Sequence, residues 1–188
     1  MFDERFNLIT QNKEYLENFV LEASKSIVQS LDANKKILFC GNGGSAAESQ
    51  HMAAEYAATL DHKRPRDGMS AIALTTDTSF ITAWSNDFGY ETIFSRQISV
   101  LGNEGDILIC YSTSGNSKNI INALNEAIKI KMNYLVFTGS NKESQLAKIA
   151  SRKKIVHVDS TLTPLIQEIH TMLGHDICYN VEKMIASK

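Results

Sequence analysis

Apolar residues along the chain alternate between two spacings. Tyr15, Leu16, Phe19, Val20, Ala23 and Ile27 recur three or four residues apart with Glu14, Glu17, Glu22 and Lys25 among them, which predicts an amphipathic helix ending near Asn34. The next apolar run is short, Ile37-Leu38-Phe39-Cys40, and meets Gly41-Asn42-Gly43-Gly44-Ser45, so a strand runs into a glycine turn. Residues 46–60, rich in Ala, Glu and Gln, favour helix. The unit then repeats. Residues 71–74 lead into Thr75-Thr76-Asp77 and a helical stretch, and residues 107–111 lead into Ser112-Thr113-Ser114-Gly115-Asn116-Ser117 and a helix over 120–130. Residues 134–138 and 155–158 are two further short apolar strands. A last helix covers 164–186, with Pro164 in its first turn.

Five strands with intervening helices predict an α/β fold: a parallel sheet covered on both faces. Ligands of such sheets bind beyond the carboxyl ends of the strands, which directs attention to the two polar loops. The chain of 188 residues, 43% apolar and 21% charged, fits one domain over 1–188. Nineteen Lys and Arg against 21 Asp and Glu leave a net charge of −2. With Lys63, Arg64 and Arg66 as its densest basic spot, the chain has no track for nucleic acid. It has no apolar run of membrane-spanning length. Its acid-containing N-terminus lacks the apolar core of a secretory signal. The three cysteines, Cys40, Cys110 and Cys178, have no metal-finger spacing and fit buried thiols in a reducing compartment, so a cytoplasmic location is expected.

Four segments carry candidate chemistry. The loop at 112–117 offers hydroxyls and helix N-terminal amides to an anion, with no Lys and no GxxxxGK[ST], so it suits a phosphomonoester better than a nucleotide. Its bland reading is a polar loop with one Ser as N-cap. The turn at 41–45 permits close backbone approach, with Asn42 and Ser45 able to bind hydroxyls, or is simply a tight turn capped by Ser45. His51 and Glu55 stand four apart on one helix face, as a metal pair or a base with its partner requires, and Glu48 lies near that face. Gln167, His170 and His175 interrupt an apolar helix. Gln167 and His175 lie eight residues apart, roughly 12 Å and about 80° of rotation, so a shared ion is possible only by reaching from both sides. His170 is a rival ligand.

GNGGS, HMAAE, SNDFGY at 85–90, YSTSGNS and IQEIH with a later His, in this order, resemble the phosphoheptose isomerases of the sugar isomerase (SIS) fold. The resemblance implies a three-layer α-β-α sandwich with a flavodoxin-like sheet, assembled as a homotetramer with active sites between subunits and with residues 1–34 used in assembly. It implies conversion of sedoheptulose 7-phosphate to D-glycero-D-manno-heptose 7-phosphate, the first step toward the activated heptoses of bacterial surface glycans. It also implies one zinc per subunit on His51, Glu55, Gln167 and His175. Substrate contacts would come from Asn42, Gly43, Gly44, Ser45, Glu55, Asn86, Asp87, Ser112, Thr113, Ser114, Ser117 and Gln167. Glu55 would be the carbon base and His175 the acid for the oxygens. Two departures stand out: residues 59–68 are longer than usual with Thr59 where the family often has Arg, and Leu165 stands where an Arg is frequent. The rival expectations are a non-catalytic SIS-fold tetrameric binding protein, against which Glu55 and His175 count, and an isomerase of another sugar phosphate.

Overall fold

The computed structural model describes residues 2–187. In chain order the elements are α1 (Phe2–Asp32), β1 (Ile37–Cys40), α2 (Gly44–Ala57), β2 (Ala71–Ala73), α3 (Thr78–Phe88), α4 (Ile93–Leu101) and β3 (Ile107–Ser112). There follow α5 (Lys118–Lys129), β4 (Asn133–Thr138), α6 (Gln145–Ile149), β5 (Ile155–His157) and α7 (Thr163–Ala186). All five strands are parallel, in the order β2-β1-β3-β4-β5. This is the flavodoxin-like order that the resemblance implies.

Strand alternation explains the layers. Ile37, Phe39, Ile107, Ile109 and Tyr111 point into one core with α1, α2 and α7, while Leu38, Cys40, Leu108 and Cys110 point into a second core with α4, α5 and α6. Both faces of β1 and β3 are therefore buried, which is why these strands read as unbroken apolar runs. Asp106, itself buried, fixes the entry to the two strands: it accepts from the Lys36 N–H at 3.0 Å, the Lys36 ammonium at 2.5 Å and the Asn103 N–H at 2.8 Å. The free thiols of Cys40 and Cys110 face one another across paired strands, 3.7 Å apart and fully buried.

The helices differ from the predicted bounds where the turns intervene. The N-terminal end of α2 lies two residues earlier than expected, because Gly43 at φ 56° turns the chain into the helix, and its C-terminal end lies at Ala57 rather than residue 60. The stretch after β2 divides into α3 and α4 at Gly89, whose φ of 93° no ordinary helical residue adopts. Helices α2 and α7 run side by side in the same direction, with Gly44 against Gln167, Glu48 against Thr171 and His51 against His175. That register places the polar residues of both helices along one seam.

Candidate active site

The strand order reverses between β1 and β3, and the loops that leave these two strands form the crevice. Gly41 is obligatory at the mouth of the first loop, because a Cβ there would run into the Ser45 backbone. No side chain caps α2, and Ser45 lies buried in its first turn, so the simple Ser-capped turn is not what forms. The Asn42 amide is held from two directions. It exchanges both hydrogen bonds with the Asn119 amide, at 2.9 and 2.8 Å, and its Oδ1 also accepts from the Tyr90 hydroxyl at 3.0 Å.

In the second loop the Ser112 hydroxyl donates to Ser117 Oγ at 3.1 Å. Ser117 occupies the N-cap position of α5 without capping it through its side chain, in contrast to Asp77 before α3 and Ser144 before α6. The Ile120 N–H is taken by Asn119 Oδ1 at 3.0 Å and the Ser117 carbonyl at 3.1 Å, so an anion at this helix end would meet the amides of Lys118 and Asn119, aided by the helix dipole. Gly115, at φ 67°, bends the loop and packs on Ser144 and Thr138. Thr113 accepts the Gly139 N–H at 3.0 Å through its carbonyl, and the Ser114 hydroxyl accepts the Asn116 N–H at 3.1 Å. The loop at 112–117 thus brings hydroxyls and amides, and no Lys or Arg of its own, to the carboxyl end of β3, a donor set suited to phosphate oxygens.

Along the helix seam, His51, Glu55 and His175 each offer a ligand atom within 4.8 Å of the others. His51 Nε2 lies 2.7 Å from His175 Nε2, and His51 Nδ1 lies 3.8 Å from a Glu55 carboxylate oxygen. The Glu55 side chain is about one-fifth exposed, so its carboxylate keeps an opening to solvent. Gln167, eight residues before His175 on α7, faces the start of α2. Its amide covers Gly44 two turns away, so closely that a Cβ on Gly44 would lie 2.6 Å from Oε1 and 2.7 Å from Nε2. Glu48 lies buried in the seam, where Oε2 accepts the Thr171 hydroxyl at 2.5 Å and Oε1 has no hydrogen-bond partner among the described residues. Burial raises its pKa against the opposing pull of Thr171, His51 and His175.

His170 is excluded as a rival ligand by its position. It is fully buried on the sheet side of α7 between the rings of Tyr111 and Phe137, with Nε2 3.4 Å from the Thr138 carbonyl, and burial lowers its pKa to about 4. Asn86 and Asp87 stand apart from the cluster, exposed at the end of α3 and bonded to each other at 2.8 Å. The same helix buries none of its residues and carries an aromatic ladder, Phe80, Trp84 and Phe88, with centroids 5.8 and 4.2 Å apart. Of the two residues that set Asn42, Tyr90 closes the SNDFGY motif, whereas Asn119 lies outside every motif. The signal for Asn119 is its polarity on the otherwise apolar buried face of α5 with Ile120, Ala123 and Leu124.

The family model for the SIS domain matches residues 2–139. The phosphoheptose isomerase of Burkholderia pseudomallei (strain K96243) is 46% identical over 169 residues, 90% of this chain and 83% of that protein. The chain belongs to the phosphoheptose isomerases of the SIS family. The phosphoheptose isomerase of Helicobacter pylori (strain P12) is 41% identical over 96% of this chain and 91% of its own length. Two solved phosphoheptose isomerase structures share the fold. That from Neisseria gonorrhoeae has a TM-score of 0.89 at 36% identity, covering 97% of this chain and 95% of its own. That from Francisella tularensis has a TM-score of 0.90 at 32% identity, covering 97% and 94%. The three-layer sandwich implied by the motifs is therefore the fold of the family. Among the described residues no helix is long and apolar enough to cross a membrane.

Proposed function

We propose that the protein interconverts sedoheptulose 7-phosphate and D-glycero-D-manno-heptose 7-phosphate. The convergence of His51, Glu55 and His175 on the α2–α7 seam, in a phosphoheptose isomerase chain, carries the reading. Aldose–ketose exchange moves a proton between C1 and C2 through an enediolate, so it requires a base at carbon, an acid at oxygen and stabilisation of the oxyanion. Glu55 is the base. His175, across the seam, gives and takes the proton at the oxygens. Ser112, Thr113, Ser114 and Ser117 with the α5 amides hold the phosphate, so binding energy from a group that does not react orients the carbons that do. Asn42, Gly43, Gly44, Ser45 and Gln167 line the path between these two ends.

Two imidazoles and a carboxylate within 4.8 Å are a donor set that suits zinc. His51, Glu55 and His175 would hold the ion, with Gln167 as a fourth ligand if its amide leaves Gly44. Zinc when bound supplies Lewis-acid polarisation of the substrate carbonyl. Asn86 and Asp87 lie away from this cluster on a helix whose Phe88 is 62% exposed, and Phe2 and Phe6 of α1 are also exposed. Such apolar surface favours assembly, and a homotetramer in which α3 completes a neighbour's site is the arrangement we infer. Glu55 and His175 also weigh against a purely non-catalytic binding role.

The direct test follows aldose formation from sedoheptulose 7-phosphate, with and without chelator, for the parent protein and Glu55→Gln. The variant is expected to lose at least ~100-fold in kcat, the lower range for a general base, while retaining bound phosphate ester. Undiminished turnover would remove Glu55 from the reaction. Sedimentation equilibrium checks assembly, with a mass near that of one 20.9 kDa chain speaking against the tetramer.

A further inference from the structure

The segment between α2 and β2 places an arginine directly behind the base. Arg66 is nearly buried, with its side chain 14% exposed, and its fork meets the last turn of α2. Nη2 donates to the Glu55 carbonyl at 2.9 Å. Nη1 donates to the carbonyls of Tyr56 at 2.9 Å, Asp67 at 3.0 Å and Ala58 at 3.2 Å. Nε donates to Glu182 Oε1 at 2.8 Å, and that oxygen also accepts the Leu60 N–H at 2.9 Å. Glu182 is itself only 11% exposed and lies on α7 seven residues beyond His175, close to the same helix face.

The chemistry of this contact is specific. A helix ends with unpaired carbonyls and the negative pole of its dipole, and a guanidinium answers both. Its planar set of five donors reaches acceptors in several directions, which a lysine ammonium cannot match in one fixed plane. The result is a brace between the helix that carries His51 and Glu55 and the helix that carries His175. One end of the brace holds the backbone of Glu55 itself.

We propose that Arg66 is a positioning residue of the active site: through the Glu55 carbonyl and the Glu182 carboxylate it fixes the last turn of α2 against α7, and so sets the separation of Glu55 from His175. This rests on the reading of Glu55 and His175 as reacting groups. The effect belongs in the chemical step and not in substrate affinity, because Arg66 lies behind the helix and the phosphate loop is held by other elements.

The test compares Arg66→Ala and Arg66→Lys by steady-state kinetics on sedoheptulose 7-phosphate, thermal unfolding, and hydrogen exchange of the amides at the end of α2. Arg66→Ala is expected to lower kcat about tenfold or more, the scale of a small misplacement, with KM within twofold. Exchange at the end of α2 should rise. Millimolar guanidinium ion should restore part of kcat where methylammonium does not, and Arg66→Lys should stay low. A kcat equal to that of the parent in folded Arg66→Ala, or equal recovery with either cation, overturns the proposal. If Arg66→Ala does not fold, Arg66→Lys decides, and parental kcat in that variant overturns it. Turnover retained in Glu55→Gln would instead indict the assignment of the base, whereas an inactive Glu55→Gln beside a fully active Arg66→Lys indicts the brace alone.

Discussion

The side-chain amides of Asn42 and Asn119 exchange two hydrogen bonds, of 2.9 and 2.8 Å, and so lock the turn after β1 to the first turn of α5. Each loop alone is a flexible polar segment. Joined, they form one rigid rim at the reversal of strand order, with Asn119 almost wholly buried beneath it. Asn119→Ala leaves the Asn42 amide short of a partner. We expect a loss of about 1–3 kcal/mol in unfolding free energy, the scale for an orphaned polar group, together with a raised KM. Urea unfolding and substrate titration check both, and an unchanged KM would show that the glycine turn does not need α5 to bind sugar.

Gly44→Ala separates chemistry from folding. A Cβ at this position collides with the end of the Gln167 amide, a flexible group that can swing aside, and not with backbone. Stability should hardly change. Activity should fall by about tenfold or more if the Gln167 amide touches substrate or metal, since small misplacements are costly in an active site. A melting temperature and a kcat both equal to the parent values would deny Gln167 a role from this position.

The buried imidazole of His170 predicts an acid limb of stability. In the unfolded chain this group binds a proton near pH 6.5, but in the fold only near 4. Between these values the unfolded state holds more protons, so stability is full above pH 6.5 and is lost as pH falls toward 4. The loss is of order 3 kcal/mol, because each tenfold difference in proton affinity between the two states is worth about 1.4 kcal/mol. His170→Phe should lack this component, and unfolding free energies of the two proteins over that window measure it. Parallel curves would mean that His170 is not what titrates.

The sheet was legible because β1 and β3 bury both faces and so leave uninterrupted apolar runs, and because each ends in a glycine or serine turn. The pairing of His51 with Glu55 was legible from their spacing on α2. Their meeting with His175 came only from the family resemblance and not from spacing, since it depends on the parallel register of two helices more than a hundred residues apart. The same reason hid the contact of Arg66 with Glu182, which in sequence reads as part of a basic loop. His170 and His175 look alike in an apolar helix. Only their rotation about α7 sends one into the core and the other to the seam.

The parallel seam of α2 and α7 also works as a ruler. The Gly44–Gln167 step stands at the start of α2, beside the turn that follows β1, and the His51–His175 step stands two turns on, about 11 Å by helix rise. A substrate anchored at one graduation must reach the other with its C1 and C2. Chain length can then be selected by span, without any hydroxyl being read along the way. Pentulose phosphates should accordingly bind through the same anchor yet turn over far more slowly than the heptulose, a contrast that parallel kcat and KM measurements would reveal.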